Sequence, residues 1–210
     1  MDKDIVRVAL GGRKYSGKDT FTDILEAEYN FTPFSFSDQL KKVARQMFPF
    51  MQLDYPSGEK ETKIVHINMD TGQEFTPRDI WQALDVLPDI YPMIYVAMLK
   101  QEFITFVETC RTHQIDKAMR VVIKDVRRPA ELRYAKGQGY WLIYVDTDDE
   151  RSFNDKAQHK SESYQEEIKQ AADSVYFNSK KNPEWEQDIK IFLVEELDKL
   201  GVRNLTGEEG

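Results

Sequence analysis

Apolar segments alternate along the chain with longer segments in which apolar residues recur at the spacing of a helix. Residues 5–10 form an apolar, β-branched run that predicts a buried strand, and a glycine-rich turn separates it from a helix expected at about residues 18–28. Further strands are expected at residues 34–36, 119–126, 140–145 and 175–177, and further helices at about residues 91–112, 129–136, 164–172 and 184–200. The alternation predicts a three-layer α/β/α fold with a mostly parallel central sheet of about five strands.

The chain between residues 36 and 77 carries local signals for helix starts and turns. Asp38 is a plausible N-cap of an amphipathic helix, and Thr76 followed by Pro77 predicts the start of another helix. Prolines and a glycine interrupt the helical pattern in residues 49–58. We therefore expect irregular chain up to Phe75, with a hairpin around residues 70–72.

Composition and charge narrow the class of protein. At 210 residues the chain has the length of one domain, expected at residues 1–205, with a frayed acidic tail at 206–210. The formal net charge of -8 argues against a broad surface for nucleic acid or membrane, because a polyanion would be repelled. The single cysteine, Cys110, allows no internal disulfide and fits a reducing compartment. The sequence has neither a long apolar run nor a signal-peptide pattern, so we expect a soluble, cytoplasmic protein.

A glycine-rich loop follows the first predicted strand, and its Gly-x4-Gly-Lys spacing from Gly12 to Lys18 is that of a P-loop. Glycines let the backbone wrap closely around phosphates, the amide groups face the anion, and the lysine reaches the outer phosphates. The position between a buried strand and a helix favours this interpretation over a chance glycine–lysine loop. We expect ATP to contact the loop and the start of the helix, with Lys18 also catalytic: Gly12, Arg13, Lys14, Ser16, Gly17, Lys18, Asp19 and Thr20.

The residue after the loop lysine departs from the usual motif. That position commonly holds a serine or threonine that binds magnesium, whereas here it is Asp19 and the hydroxyl follows at Thr20. Asp19 can contact a magnesium-bound water or pair with a basic side chain, and its role stays open. Asp125 lies at the end of an apolar strand, in the position of a carboxylate that orients magnesium and its waters. The sequence thus predicts Thr20 and Asp125 as the residues that hold Mg²⁺, partly through water.

The sequence resembles the bacteriophage deoxynucleoside monophosphate kinases, within the P-loop nucleoside monophosphate kinase superfamily. The resemblance covers most of the chain from Val8 to Asn178 in five patches: SGKDT (16–20), FSDQLK (36–41), TPRDIWQ (76–82), VIKDVRRPAE (122–131), and HKSE (159–162) with ADSVYFN (172–178). In that superfamily the residue after the lysine is typically not a hydroxyl and a threonine follows, as Asp19 and Thr20 do. The resemblance implies a P-loop NTPase fold, ATP and Mg²⁺ as cofactors, and a (deoxy)nucleoside 5′-monophosphate as the acceptor.

Residues 37–115 are expected to form the region that binds the acceptor. Asp38 can accept a hydrogen bond from a base or a sugar hydroxyl, or simply cap the helix that follows. Arg78 lies in the first turn of a helix, where a cation is electrostatically unfavourable, so an anion is expected beside it. Gln82 follows one turn later on the same face. The resemblance implies that Arg78 grips the acceptor phosphate with Gln82 near the base; the alternative is a solvated surface pair.

Basic side chains are expected around the transferred phosphoryl group. Arg127 and Arg128 follow Asp125 at the same edge of the sheet, and guanidinium groups bind phosphate oxygens bidentately. At least one of the two should reach the substrates, with Arg127 favoured and also catalytic, while Glu131 can pair with them. The polar segment 147–160 fits a mobile lid that excludes water and carries Arg151 as a catalytic candidate. An ordinary solvated loop explains that segment as well.

These features predict transfer of the ATP γ-phosphoryl to a (deoxy)nucleoside 5′-monophosphate, giving the diphosphate and ADP. A phosphomevalonate kinase is the nearest alternative, since animal-type enzymes of that kind carry a loop similar to residues 12–19. The Thr-Pro-Arg-x3-Gln patch at residues 76–82 favours nucleotides. A nucleotide-dependent switch or binding module is a second alternative, but it needs neither Arg78 nor a lid. A homodimer is conceivable because the helix from Tyr91 is rich in aromatic residues and methionine, and a viral source would place the protein in the host cytoplasm.

Overall fold

The computed structural model describes residues 5–56, 58–113, 119–152, 163–179 and 182–203. The chain divides into two compact units. The first unit contains residues 1–34 and 109–210, and the second unit contains residues 35–108. The second unit therefore overlaps most of the range 37–115 that the sequence assigns to the acceptor.

Strands and helices follow one another along the chain as the apolar pattern predicts. The strands are β1 (Ile5–Gly11), β2 (Thr32–Phe34), β3 (His66–Ile67), β4 (Glu74–Phe75), β5 (Met119–Val126), β6 (Trp141–Thr147) and β7 (Ser174–Asn178). The helices are α1 (Lys18–Tyr29), α2 (Phe36–Met47), α3 (Glu59–Thr62), α4 (Pro77–Leu84), α5 (Leu87–Ile90), α6 (Ile94–Thr112), α7 (Pro129–Gly137), α8 (Gln165–Gln170) and α9 (Trp185–Asp198). A 3₁₀ turn spans Glu150–Ser152.

Five strands of the first unit form one sheet in the order β2-β5-β1-β6-β7, and every neighbouring pair is parallel. The central strand β1 places Val8 opposite Val122 of β5 and Trp141 of β6. Because all five strands run the same way, their carboxyl ends lie at one edge of the sheet, which is where ligands of such sheets bind. The predicted α/β fold with a parallel sheet of about five strands is confirmed.

The core of the first unit lies between the central strands and the helices α1 and α9. Val8, Val122 and Ile143 from the strands are completely buried, as are Leu25 of α1 and Leu193 of α9. Strands that are buried on both faces need apolar side chains on both, so they appear in the sequence as continuous apolar runs rather than as alternating patterns. This core fixes the carboxyl ends of β1 and β5, and with them the loops that follow.

The second unit packs the helices α2 and α4 around a small apolar cluster that includes Ala44, Met51 and Ile80. Strands β3 and β4 pair antiparallel, and the Asn68 side chain accepts hydrogen bonds from the backbone N–H groups at positions 70 and 71 in the turn between them. The predicted hairpin is therefore confirmed. Thr76 caps α4, with Pro77 as its first residue, as predicted.

Where the second unit begins, one expectation is wrong and the expected strand lies two residues earlier along the chain. Ser35, and not Asp38, is the N-cap of α2: its Oγ accepts the backbone N–H of Asp38 at 3.2 Å, which places Asp38 inside the first turn. The strand expected at residues 34–36 is β2 at Thr32–Phe34, which pairs with β5 from Thr32 to Phe34. The chain leaves the sheet at Ser35 because its hydroxyl satisfies a free N–H group and starts the helix.

Residues 153–160 of the lid expected at 147–160, and the tail expected at 206–210, lie outside the described residues. In the part of the chain that the structure describes, no helix combines the length and hydrophobicity needed to cross a membrane.

Candidate active site

The loop of residues 12–17, called here the phosphate loop, joins β1 to α1 at the carboxyl edge of the sheet. Its backbone takes left-handed conformations at Gly12, Tyr15 and Gly17, with φ angles of 138°, 65° and 101°. A Cβ on Gly12 would lie 2.3 Å from the carbonyl oxygen of Val145, so only glycine fits between the loop and β6. The glycine spacing in the sequence thus reflects a real restriction on the backbone.

The ammonium group of Lys18 lies across this loop in a buried position. Its Nζ donates to the carbonyl oxygens of Gly12 (2.8 Å) and Arg13 (2.5 Å), and lies 3.3 Å from the hydroxyl of Ser16. Lys18 is also the first residue of α1, whose N-terminus carries a partial positive charge. A glycine-restricted loop, a helix N-terminus and a buried lysine thus lie at one place, and these are the components of a phosphate-binding site.

Two side chains from distant parts of the chain hold the phosphate loop from outside. The hydroxyl of Ser152, in the 3₁₀ turn, donates to the carbonyl of Lys14 at 2.7 Å. The side-chain amide of Asn178, the last residue of β7, donates to the carbonyl of Ser16 at 2.7 Å. Sequence reasoning assigned neither residue to the site. Asn178 lies in a patch of the family resemblance, whereas Ser152 carries no signal that would have singled it out.

The strand next to β1 brings a carboxylate to the same edge. Asp125 is 4% exposed and precedes Val126, which pairs with Gly11 immediately before the phosphate loop. Thr20 lies half-buried in the first turn of α1, and Asp19 beside it is exposed. Carboxylate and hydroxyl oxygens are ligands that Mg²⁺ prefers, so Asp125 and Thr20 fit the ion that the sequence predicts.

The loop after β5 is fixed by the buried carboxyl group of a glutamate. One oxygen of Glu131, Oε2, accepts the backbone N–H groups of Arg127 at 2.7 Å and of Arg128 at 3.0 Å. Burial is the main cause that raises the pKa of Glu131 to about 8, and the charge of Asp125 adds to it. Arg127 is exposed and Arg128 is buried, so the two neighbours face different surroundings.

Further basic groups flank the phosphate loop. Lys169 of α8 pairs with Asp146 near the end of β6 at 2.7 Å, and this hydrogen bond is the largest cause that raises the pKa of the Lys169 ammonium. The charge of Arg13 acts on the same ammonium in the opposite direction. Lys14 lies exposed over the ring of Tyr15 at 4.7 Å. Arg13, Lys14 and Lys169 thus add positive charge beside the loop, although the whole chain is negatively charged.

Three of the residues predicted to bind substrate, Asp38, Arg78 and Gln82, belong to the second unit. Arg78 lies in the first turn of α4, where Nε and Nη2 donate to one oxygen of Glu61 at 3.0 and 2.7 Å. The anion expected beside Arg78 is therefore the carboxylate of Glu61. Gln82 lies half-buried on α4, and Asp38 pairs with Lys41 at 3.1 Å. Of Arg151, the structure gives only its place in the 3₁₀ turn.

The fold and the loop together define the class of protein. A Gly-x4-Gly-Lys loop between the central strand and the first helix of a parallel sheet, with an acidic residue on the adjacent strand, is the arrangement of the P-loop NTPases. The chain has the P-loop NTPase fold.

Known proteins resemble the chain in structure but not in sequence. No protein-family model matches it, and no curated protein matches its sequence. Dephospho-CoA kinase from Campylobacter jejuni is similar at 13% identity, over 95% of this chain and 99% of the other, with a TM-score of 0.45. TT1252 from Thermus thermophilus is similar at 14% identity, over 93% and 97%, with a TM-score of 0.46. A sugar kinase from Janibacter is similar at 10% identity, over 92% and 95%, with a TM-score of 0.42. At these identities and TM-scores the likeness says nothing about what this chain binds or does.

Proposed function

We propose that this protein is an ATP-dependent kinase that transfers the γ-phosphoryl group to a (deoxy)nucleoside 5′-monophosphate, giving the diphosphate and ADP. The observation that carries the proposal is the buried Lys18 ammonium, which lies against the carbonyls of Gly12 and Arg13 inside a glycine-dependent loop. The ammonium group of such a lysine can replace its hydrogen bonds to backbone carbonyls with hydrogen bonds to phosphate oxygens.

On the donor side, the phosphate loop binds and orients the ATP phosphates. Its amide groups and the N-terminus of α1 face the anion, and Lys18 compensates the charge that shifts onto the bridging oxygen during transfer. Thr20 and Asp125 would hold Mg²⁺, which supplies further neutralisation of the phosphate oxygens when it is bound. The exposed Arg127 at the same edge is suited to bind the transferred group, and Arg151, in the 3₁₀ turn beside Ser152, is the further catalytic candidate.

On the acceptor side, Arg78 is suited to bind a phosphate because two of its N–H groups already converge on a single oxygen of Glu61. An oxygen of the acceptor 5′-phosphate attacks the γ-phosphorus. The bond between that phosphorus and the β,γ-bridging oxygen breaks, and ADP leaves. The attacking oxygen is already anionic, so no general base is required. Asp38 and Gln82 are the side chains that we assign to the sugar and the base.

The test is acceptor-dependent release of ADP from ATP and Mg²⁺. The acceptors are a panel of dNMPs and NMPs, phosphomevalonate, and dephospho-CoA as a hydroxyl acceptor, with Lys18→Ala as the control. We expect turnover with one or more monophosphates and its loss in the variant.

Other outcomes separate the alternatives. Turnover with phosphomevalonate alone would keep the chemistry and replace the acceptor. Binding of ATP without stimulation by any acceptor would make a nucleotide-dependent switch or binding module the better description.

A further inference from the structure

Three side chains donate hydrogen bonds to carbonyl oxygens of the phosphate loop. Lys18 donates to those of Gly12 and Arg13. Ser152 donates to that of Lys14, and Asn178 donates to that of Ser16. Lys18 belongs to the loop motif itself. Ser152 and Asn178 come from the carboxyl side of β6 and from the end of β7, far along the chain. The loop is therefore organised in part by residues that the motif does not contain.

The direction of a carbonyl group determines the direction of the amide that follows it. In a trans peptide the C=O and N–H groups point in opposite directions, and the described residues contain only trans peptides. When Ser152 holds the carbonyl of Lys14, the N–H of Tyr15 points away from Ser152. In the same way, the bond from Asn178 directs the N–H of Gly17 away from β7.

We propose that Asn178 and Ser152 are positioning residues of the phosphate loop, each holding one carbonyl so that the amide of the same peptide faces the bound anion. This inference rests on the proposed function, because the anion is the triphosphate of ATP. Both side chains act through the loop backbone and neither needs to touch the nucleotide.

The surroundings of Asn178 make its role specific to an amide. The residue is completely buried, its own carbonyl accepts from the hydroxyl of Thr147 at 3.0 Å, and its Nδ2 donates to Ser16. Its Oδ1 is buried without a hydrogen-bond partner among the described residues. An aspartate at this position would place an acceptor against the Ser16 carbonyl and bury a charge, while the shape of the side chain would stay the same.

Ser152 gives an independent measure of the same effect. It is 9% exposed and holds the adjacent part of the loop with a single hydroxyl, so alanine removes one hydrogen bond and little volume. A matched control is Ser179→Ala, because Ser179 follows Asn178 directly but donates to Asp148 at 3.0 Å rather than to the loop.

The experiment compares wild type with Asn178→Asp, Asn178→Ala, Ser152→Ala and Ser179→Ala. Binding of ATP and of inorganic tripolyphosphate is measured by calorimetry, together with the Tm and the KM of the acceptor. We expect both ligands to bind about tenfold or more weakly to Asn178→Asp and about two- to tenfold more weakly to Ser152→Ala. Ser179→Ala should bind them as wild type does, and the acceptor KM should be unchanged throughout.

Each outcome decides a separate question. Wild-type affinity in folded Asn178→Ala and Ser152→Ala would overturn the positioning role, even if turnover supports the proposed function. Equal losses for the acceptor and for ATP would also overturn it, since they would indicate a general loss of structure. Wild-type protein that binds neither ATP nor tripolyphosphate would refute the proposed function itself and with it the role of both side chains. Because a buried carboxylate can prevent folding, Asn178→Ala and Ser152→Ala decide the matter if Asn178→Asp is not folded.

Discussion

Lys18 in the first unit and Arg78 in the second are both assigned to phosphates, yet their surroundings differ. The ammonium of Lys18 is buried against carbonyls of its own loop, within six residues along the chain. The guanidinium of Arg78 is partly exposed and bound to the carboxylate of Glu61, seventeen residues earlier. A phosphate that reaches Lys18 exchanges with neutral oxygens, whereas one that reaches Arg78 must displace an anion. Under the proposed function, the donor site is therefore preorganised, whereas the acceptor site contains a competing carboxylate.

The largest effect is expected for Lys18→Ala. The loss of a preorganised charge at the transferred group should lower kcat by about 10²–10³-fold. The measurement is the steady-state rate of ADP release at saturating acceptor. A variant that keeps more than about a third of the wild-type kcat would show that Lys18 does not stabilise the transition state. The proposed difference between Lys18 and Arg78 would then be wrong.

Gly12→Ala should weaken ATP binding through a steric clash, without changing any charge. With φ of 138° and a Cβ that would lie 2.3 Å from the Val145 carbonyl, alanine forces the loop away from β6. We expect ATP affinity to fall by about tenfold or more, as measured by calorimetry. The matched control is Gly137→Ala at the end of α7, where an added Cβ meets nothing within 4 Å and binding should not change.

Arg78→Ala should act on the acceptor alone. Removal of a charge-assisted contact should raise the acceptor KM by about 10-fold or more, while the KM of ATP stays the same. Arg45→Ala, which removes an exposed cation from α2, serves as the control for net charge. If Arg78→Ala raises both KM values equally, the division of roles between the two units is wrong.

Glu61→Gln should shift the acceptor KM in the opposite direction. Exposed ion pairs are worth about 0–1 kcal/mol, so removal of the competing carboxylate should lower this KM by at most about fivefold. Glu59→Gln is the matched control, because Glu59 lies on the same short helix and pairs with Lys63 instead. A higher KM in Glu61→Gln would mean that the carboxylate orients Arg78 and does not compete with the phosphate.

A separate prediction concerns how the stability of the first unit depends on pH. The pKa of Glu131 is raised from 4.5 to about 8, so the folded protein binds this proton more tightly than the unfolded chain does. The resulting stabilisation is complete below about pH 4.5 and is lost as the pH rises through about 8. Urea unfolding of Glu131→Gln should therefore show a gain relative to wild type that grows across this range. A difference between Glu131→Gln and wild type that stays constant with pH would contradict the assignment.

Local patterns in the sequence predicted the parts of the molecule that local chemistry determines. The apolar run of β5, the capping of α4 by Thr76 and the glycine spacing of the phosphate loop each depend on residues within a few positions. Asp38 shows the limit of such reasoning, because Ser35 competes for the same role three residues earlier.

Contacts between distant residues could not be predicted in this way. Asn178 reaches Ser16 across the sheet, Ser152 reaches Lys14, and Glu61 reaches Arg78, and none of these pairs has a spacing that one sequence can reveal. A carboxylate or an amide at the end of a strand has many possible partners. Only the folded chain selects one of them.

The order of the strands has a consequence for how this chain can change. β2 and β5 are neighbours in the sheet, although residues 35–118 separate them along the chain. The entropy lost on closing such a connection grows only logarithmically, by about 0.6 kcal/mol for each doubling of its length. Insertions and deletions in the second unit should therefore disturb the pairing of these strands little. The part of the chain that we assign to acceptor choice can vary in length and sequence while the ATP site keeps its form.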